Sequence, residues 1–143
     1  VNGTKKNVKL KGIIDRIDRV GDKVRIIDYK SGRVQENDTK FRVKDCDEES
    51  IVASLAGRKH ILQLIQYAFL YHQKYQEIPE SGIISFISGD NMPFILDTQK
   101  VELEEVIKNY PLYIGRVLGE MYDDSIPFKH NTTQFVSYCQ YCN

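Results

Sequence analysis

Residues 12–32, GIIDRIDRVGDKVRIIDYKSG, have a pattern that predicts a β-hairpin. Two runs rich in β-branched residues flank the pair Gly21-Asp22, and a glycine at the first central position suits a two-residue turn. Counting outward from that turn along both strands predicts that Asp15 lies directly opposite Asp28.

The charged end of this hairpin has two interpretations. Strand alternation places Asp15, Asp28 and Lys30 on one face, where two opposed carboxylates repel each other. A divalent cation between them removes the repulsion, and hard oxygen ligands favour Mg²⁺ or Mn²⁺. Lys30 could then orient a water or stabilise charge on a phosphoryl oxygen. The alternative is a salt-bridge cluster in which the three side chains neutralise one another on a solvated face.

The rest of the chain alternates helical and strand patterns. The predicted elements are strands 9–20 and 23–30, a short helix near 48–55, a helix over 58–75, a buried strand 81–88, an edge strand 93–97 and a helix over 100–122. Pro111 should kink or split the last helix near Asn109, because proline removes a backbone hydrogen bond.

Gln63 and Tyr67 are neighbours on the predicted long helix because they lie four residues apart. They fall on the side opposite to an apolar stripe of Ile61, Ile65 and Ala68. One interpretation is a solvated glutamine beside a half-buried tyrosine. The other is an amide and a phenol that face the charged end of the hairpin.

Three motifs in this order, GIIDRID (12–18), DYKSG (28–32) and QLIQY (63–67), resemble the nuclease domain of the RecB/AddB branch of the PD-(D/E)XK superfamily. The resemblance covers the chain from about Leu10 to its end. It implies a restriction-endonuclease-like α/β fold, a mixed β-sheet flanked by helices. It also implies a Mg²⁺- or Mn²⁺-dependent DNA exonuclease or endonuclease that processes DNA ends in recombinational repair alongside a helicase.

The resemblance also implies roles for individual residues. Asp15 and Asp28 would bind the metal together with the backbone carbonyl of Tyr29, and Lys30 would be the catalytic lysine. The residues that would contact DNA beside the active site are Gln63 and Tyr67.

A Cys139-x-x-Cys142 pair near the end of the chain adds a second candidate site. By itself the pair fits half a zinc site, a redox pair, two iron–sulfur ligands or two unrelated thiols. The resemblance implies that it supplies two ligands of a 4Fe–4S cluster, with further cysteines outside this chain. Cys46 does not match the family's upstream cysteine, and we interpret it as a bystander.

The family also has a helix before the first strand that supplies a His or Glu near the metal. Residues 1–9 contain no His, Asp or Glu, and His60, His72 and His130 come too late in the chain. We therefore expect this chain to be a fragment of a longer protein that lacks the N-terminal helix and the third side-chain ligand. We also expect the fragment alone to cut DNA poorly.

Composition sets the remaining expectations. The 143 residues suit one domain, and the 41% hydrophobic and 28% charged residues are ordinary for a globular protein. Twenty acidic residues balance 20 basic residues, and a net charge of zero counts against tight autonomous DNA binding. The alternative function is therefore a non-catalytic DNA-binding or scaffold module that keeps the nuclease fold. A zinc-stabilised structural domain is the third interpretation of the chain's function. No apolar run or signal pattern predicts a membrane span, and three cysteines suit a reduced bacterial cytoplasm.

Overall fold

A computed structural model describes residues 7–87 and 92–127 of the chain. The elements of these described residues are β1 (Arg16–Val20), β2 (Lys23–Lys30), a 3-10 turn (Glu36–Thr39), α1 (Glu48–Gly57), α2 (Lys59–Tyr75), β3 (Glu80–Ser85), β4 (Phe94–Ile95) and α3 (Leu103–Met121). The strands form one mixed sheet in the order β1-β2-β3-β4, and the helices flank it. The predicted α/β class is confirmed.

The hairpin has the predicted register. Arg16 pairs with Ile27 and Val20 pairs with Lys23 in an antiparallel ladder. Gly21 has a φ of 61°, a left-handed conformation that glycine adopts without steric cost. The two-residue turn therefore fixes which side chains of β1 and β2 share a face.

β1 begins later than the sequence pattern indicates, at Arg16 and not at residue 9. The preceding segment lies against α2. The side-chain amide of Gln66 donates a hydrogen bond of 2.7 Å to the carbonyl of Lys11. A Cβ atom on Gly12 would lie only 2.9 Å from the Tyr67 ring, so the absence of a side chain permits this close approach. Packing on the helix thus replaces strand pairing in this segment.

The parallel pairing of β2 and β3 places their carboxyl ends side by side. A parallel pair requires a crossover connection, which α1 and α2 supply here. Lys30 pairs with Ser85, and the backbone N–H of Phe86 donates to the Lys30 carbonyl at 3.0 Å. The residues that end β2 and those that follow β3 therefore meet at one edge of the sheet.

α1 and α2 form close to their predicted bounds, with identifiable ends. Asp47 caps α1, because its carboxylate accepts a hydrogen bond of 2.8 Å from the Ser50 N–H. Gln76 follows the last residue of α2 and caps the helix, because it adopts a left-handed conformation and donates its N–H to the His72 carbonyl.

α3 is one helix and is not split at Asn109, so that part of the prediction is wrong. Pro111 lies inside Leu103–Met121. Buried side chains precede and follow the proline, namely Val106, Ile107, Tyr110 and Tyr113. Their packing holds both halves of the helix in place despite the lost backbone hydrogen bond.

α2 is buried on two sides. Its apolar stripe joins the main core cluster with α1, α3 and Ile83 of β3. On another side, Tyr67 and Tyr71 pack on Val24 and Ile26 of the hairpin. This second contact turns Tyr67, and with it Gln63 one turn earlier, toward β2. Within residues 7–87 and 92–127, no helix is long and apolar enough to cross a membrane.

Candidate active site

The candidate site lies at the carboxyl end of β2, on the face that α2 covers. Asp28 is 3% exposed there, and the Lys30 side chain is partly buried beside it. A carboxylate so far from solvent requires charged or hydrogen-bonding partners, because burial of an unpaired charge is costly.

Two side chains contact the Asp28 carboxylate, and Tyr67 joins the same set of contacts through Gln63. The Lys30 Nζ atom lies 2.7 Å from Asp28 Oδ2 and donates to Gln63 Oε1 at 2.8 Å. Gln63 Nε2 donates to Asp28 Oδ1 at 3.0 Å and to the Tyr67 hydroxyl at 2.8 Å. The amide of Gln63 therefore holds both the acid and the lysine in position.

Asp28 Oδ2 is the less satisfied oxygen of this carboxylate. The Lys30 ammonium is close enough for an ion pair, but its direction falls outside hydrogen-bond geometry. Among the described residues, this buried oxygen has no hydrogen-bond donor. It is thus a buried anionic oxygen with capacity for a further cationic partner.

Asp15 lies one residue before β1, and its side chain is exposed. Its Oδ2 atom accepts a hydrogen bond of 2.8 Å from the Tyr29 N–H. The carboxylate of Asp15 therefore reaches the end of β2 beside Asp28, as the hairpin register predicts. The expected repulsion between the two acids is relieved within the protein, because Lys30 pairs with Asp28 and a backbone N–H pairs with Asp15.

The backbone carbonyl of Tyr29 points to the side of Asp15. Along a strand, backbone groups of successive residues alternate between the two neighbouring strands. Lys30 directs its carbonyl to Phe86 on the β3 side, whereas Tyr29 directs its N–H to Asp15. The Tyr29 carbonyl therefore lies on the same side as Asp15.

The residues at this edge fit a hydrated hard cation. The oxygens available are those of Asp15, Asp28 and the Tyr29 carbonyl. Within the described residues, no group of three or more His, Cys, Asp and Glu side chains could hold a metal. Mg²⁺ commonly binds one or two carboxylates and keeps several waters, so two acids and a carbonyl suit it better than they suit a softer metal.

A groove of about 600 Å³ opens beside Gln63 and Tyr67. Lys11 and Lys59 also line this groove, and among the described residues no acid does. Most of the groove's surface is apolar, with Ile13 and Leu62 also lining it, and the lysines, the amide and the phenol are the groups that could contact an anionic ligand such as a phosphate backbone. The pair predicted to contact DNA, Gln63 and Tyr67, therefore lines a groove together with two lysines.

His60 is a further polar residue near the site that the sequence did not single out. It lies three residues before Gln63 on α2, and its Nδ1 atom is buried without a hydrogen-bond partner among the described residues. Burial lowers the pKa of His60, and the positive charge of Lys59 lowers it further. Both effects favour the neutral form of the ring. Its helical spacing from Gln63 is the signal that could have found it.

The described residues include one of the three cysteines, Cys46. Cys139 and Cys142 lie outside the described residues. Cys46 is exposed, and its Sγ atom lies 3.4 Å from the Lys100 carbonyl. Cys46 belongs to no cluster of metal-binding side chains in the part of the chain that the structure describes.

Comparison with known proteins gives a family match over the whole chain. A family model of the PD-(D/E)XK nuclease superfamily matches residues 1–143. Searches of curated proteins and of solved structures gave no significant match. The mixed sheet with flanking helices agrees with the restriction-endonuclease-like fold that the sequence predicts for this superfamily.

Proposed function

Because this chain belongs to the PD-(D/E)XK nuclease superfamily, we propose that it is a Mg²⁺- or Mn²⁺-dependent deoxyribonuclease of the RecB/AddB type. The superfamily generally hydrolyses phosphodiester bonds. The observation that carries the proposal is the contact set of Asp28, Lys30 and Gln63 at the end of β2. The proposed setting is DNA-end processing in recombinational repair in the bacterial cytoplasm, beside a helicase.

Asp15, Asp28 and the Tyr29 carbonyl are the proposed ligands of the cation. Asp28 contributes its buried Oδ2, and Asp15 is held at the same edge by the Tyr29 N–H. A divalent cation at such a site supplies Lewis acidity toward a phosphate oxygen and lowers the pKa of a water.

Lys30 is the proposed catalytic lysine. Its ammonium has two partners, Asp28 and Gln63, so it stays at the site through Gln63 when the charge of Asp28 is shared with a cation. From there it can orient the attacking water or stabilise negative charge on a phosphoryl oxygen. Gln63 acts as its positioning residue.

The groove beside Gln63 and Tyr67 is the proposed path of a DNA strand. Lys11 and Lys59 would contact its phosphates, and the amide and phenol would fix its position relative to Lys30.

The sequence pattern alone supports two further proposals for a longer protein that contains this chain. These are a helicase partner and a 4Fe–4S cluster with Cys139 and Cys142 among its ligands.

The test of the proposed function combines cleavage with cation binding. The chain is incubated with end-labelled linear DNA in Mg²⁺, in Mn²⁺ or in EDTA, and its thermal unfolding is recorded in the same buffers. We expect slow strand breakage with either cation and none in EDTA. We also expect a higher melting temperature with cation, because an ion that binds only the folded state stabilises it.

The alternative function is a non-catalytic DNA-binding or scaffold module that retains the nuclease fold. The observation that favours it is that only two side-chain ligands, Asp15 and Asp28, meet at the edge among the described residues. DNA binding without cleavage, together with a melting temperature that neither cation changes, would favour this alternative over the nuclease.

Replacement of Gln63 by alanine tests the positioning role of the amide. Gln63→Ala removes the contacts of Nε2 and Oε1 with Asp28, Lys30 and Tyr67. Loss of a residue that orients metal ligands typically lowers affinity or activity about 10- to 100-fold. We expect a reduction of this size in cleavage rate or in Mn²⁺ affinity, measured by the assay above and by thermal titration.

Gln73→Ala is the matched control, because it makes the same change at an exposed position of the same helix. This control should leave cleavage and Mn²⁺ affinity unchanged. Equal behaviour of the two variants would contradict the positioning role of Gln63.

A further inference from the structure

An aromatic pair lies on the opposite face of the sheet, at the same end as the candidate site. The rings of Tyr29 and Phe86 stack with their centroids 5.3 Å apart and their planes 9° from parallel. Phe86 is 67% exposed, whereas Tyr29 is partly buried. The pair therefore presents a flat aromatic surface to solvent.

The pair is connected directly to the proposed catalytic residues. Tyr29 lies between Asp28 and Lys30 in β2, and its N–H holds Asp15. Phe86 follows β3, and its N–H donates to the Lys30 carbonyl at 3.0 Å. Phe86 and Lys30 therefore meet through their backbones at the end of the sheet while their side chains lie on opposite faces, so a DNA strand that passes around this end of the sheet can contact both.

Arg16 fixes the supporting ring of the pair. Its Nη1 atom donates to the Tyr29 hydroxyl at 3.1 Å, and its Nε atom pairs with Asp18 at 2.8 Å. Farther along the same face, Glu80 pairs with Lys23 and Arg25. The face thus carries paired charges away from the site and an aromatic surface beside it.

We propose that Phe86, supported by Tyr29, is a stacking platform for one unpaired base of a DNA strand whose phosphate lies at Lys30. The proposal rests on the proposed nuclease function for the position of that phosphate. An aromatic ring accepts any base, because every base has a π-face. Bases inside a duplex are already stacked on each other, so the platform selects a single strand or a frayed end.

The experiment measures the binding of two fluorescent 15-mer probes to the intact chain by anisotropy in EDTA, where no strand is cut. One probe is single-stranded DNA. The other is a strand of abasic sugar-phosphate units with the same charge. We expect Phe86→Ala to weaken binding of the DNA probe about tenfold and to leave binding of the abasic probe unchanged.

Four comparisons separate stacking from other effects. Phe86→Trp keeps a flat ring and should bind the DNA probe at least as tightly as the parent. Phe86→Leu keeps an apolar side chain but no ring, and it should bind the DNA probe as weakly as Phe86→Ala. Tyr75→Ala is the matched control and should leave binding of both probes unchanged, because Tyr75 is also an exposed aromatic residue that packs against another ring, at the far end of α2. A blunt, clamped duplex should bind the parent and Phe86→Ala equally.

The results also separate this proposal from the proposed function. Binding of the DNA probe that depends on Phe86, in a chain that never cuts DNA with Mg²⁺ or Mn²⁺, would retain the platform and reject the nuclease. Equal binding by the parent and Phe86→Ala would overturn the platform, and so would the absence of measurable binding by the parent. An equal loss of binding for both probes would also overturn it, because charge and not a base would then be recognised.

Discussion

Lys30→Ala is expected to lower DNA cleavage by about 10²- to 10³-fold, because loss of one preorganised donor to a developing negative charge has an effect of this size. The ammonium of Lys30 is held between Asp28 and Gln63. Among the described residues no other lysine contacts these two side chains, so none can replace it in the variant. The measurement is single-turnover cleavage of labelled DNA at saturating Mn²⁺, which separates the chemical step from DNA binding.

The same variant should keep or strengthen the stabilisation of the chain by a divalent cation. Lys30 is the cationic partner of the buried Asp28 Oδ2, so its removal frees that oxygen for the cation. The cation-free variant should lose about 1–3 kcal/mol of unfolding free energy, because Asp28 then lacks its buried counter-ion. Thermal melts with and without Mn²⁺ measure both effects.

Lys23→Ala provides the control, since Lys23 begins the same strand in an exposed ion pair with Glu80. Its effects on cleavage and on stability should be small. A Lys30→Ala variant that cuts DNA at the parent rate would leave the lysine with a structural role only.

The hairpin could be predicted from the sequence because its determinants are local. A two-residue turn at Gly21 fixes the register, and the register fixes which side chains share a face. The prediction that Asp15 and Asp28 meet at one end therefore needed no knowledge of the rest of the fold. The start of β1 was not predictable in this way, because it depends on the contact of Gly12 with Tyr67 in α2.

The contacts of Gln63 could not be derived from periodicity. Helical spacing places Gln63 beside Tyr67, but it does not say which neighbouring element that side of the helix faces. The answer depends on how Tyr67 and Tyr71 pack on the hairpin, a contact between residues far apart in the chain. The same limit applies to Phe86, whose ring contacts Tyr29 only because β2 and β3 pair in parallel.

Asp15 and Asp28 each have a partner within the protein, and this changes one expectation about stability. From the sequence alone, repulsion between Asp15 and Asp28 should destabilise the cation-free fold. In the structure, Lys30 and the Tyr29 N–H already neutralise or bind these carboxylates. A cation therefore competes with the ammonium of Lys30 for the charge of Asp28 Oδ2, and its affinity reflects this competition.

Asp28→Asn is expected to abolish both the cation-dependent stabilisation and the cleavage, with only a small change in the cation-free chain. The amide oxygen of asparagine can still accept a hydrogen bond from Gln63 Nε2, and the partly exposed Lys30 ammonium keeps Gln63 Oε1 as an acceptor and can turn its other N–H groups toward water. We therefore expect the unfolding free energy without cation to change by about 1 kcal/mol or less. The negative charge that attracts the cation is lost at nearly constant shape.

Thermal melts in saturating Mn²⁺ separate this prediction from the salt-bridge interpretation of the hairpin. At a cation concentration of 100 Kd, binding stabilises the parent by about 2.7 kcal/mol, or roughly 10 °C for a domain of this size, and Asp28→Asn should lose that increment. Asp22→Asn in the exposed turn is the matched control and should keep it. If Asp28→Asn instead destabilised the cation-free chain by more than about 2 kcal/mol, and Mn²⁺ changed neither protein, Asp28 would serve as the partner of Lys30 alone. The acids would then hold the hairpin end together by ion pairing, with no role in binding a metal.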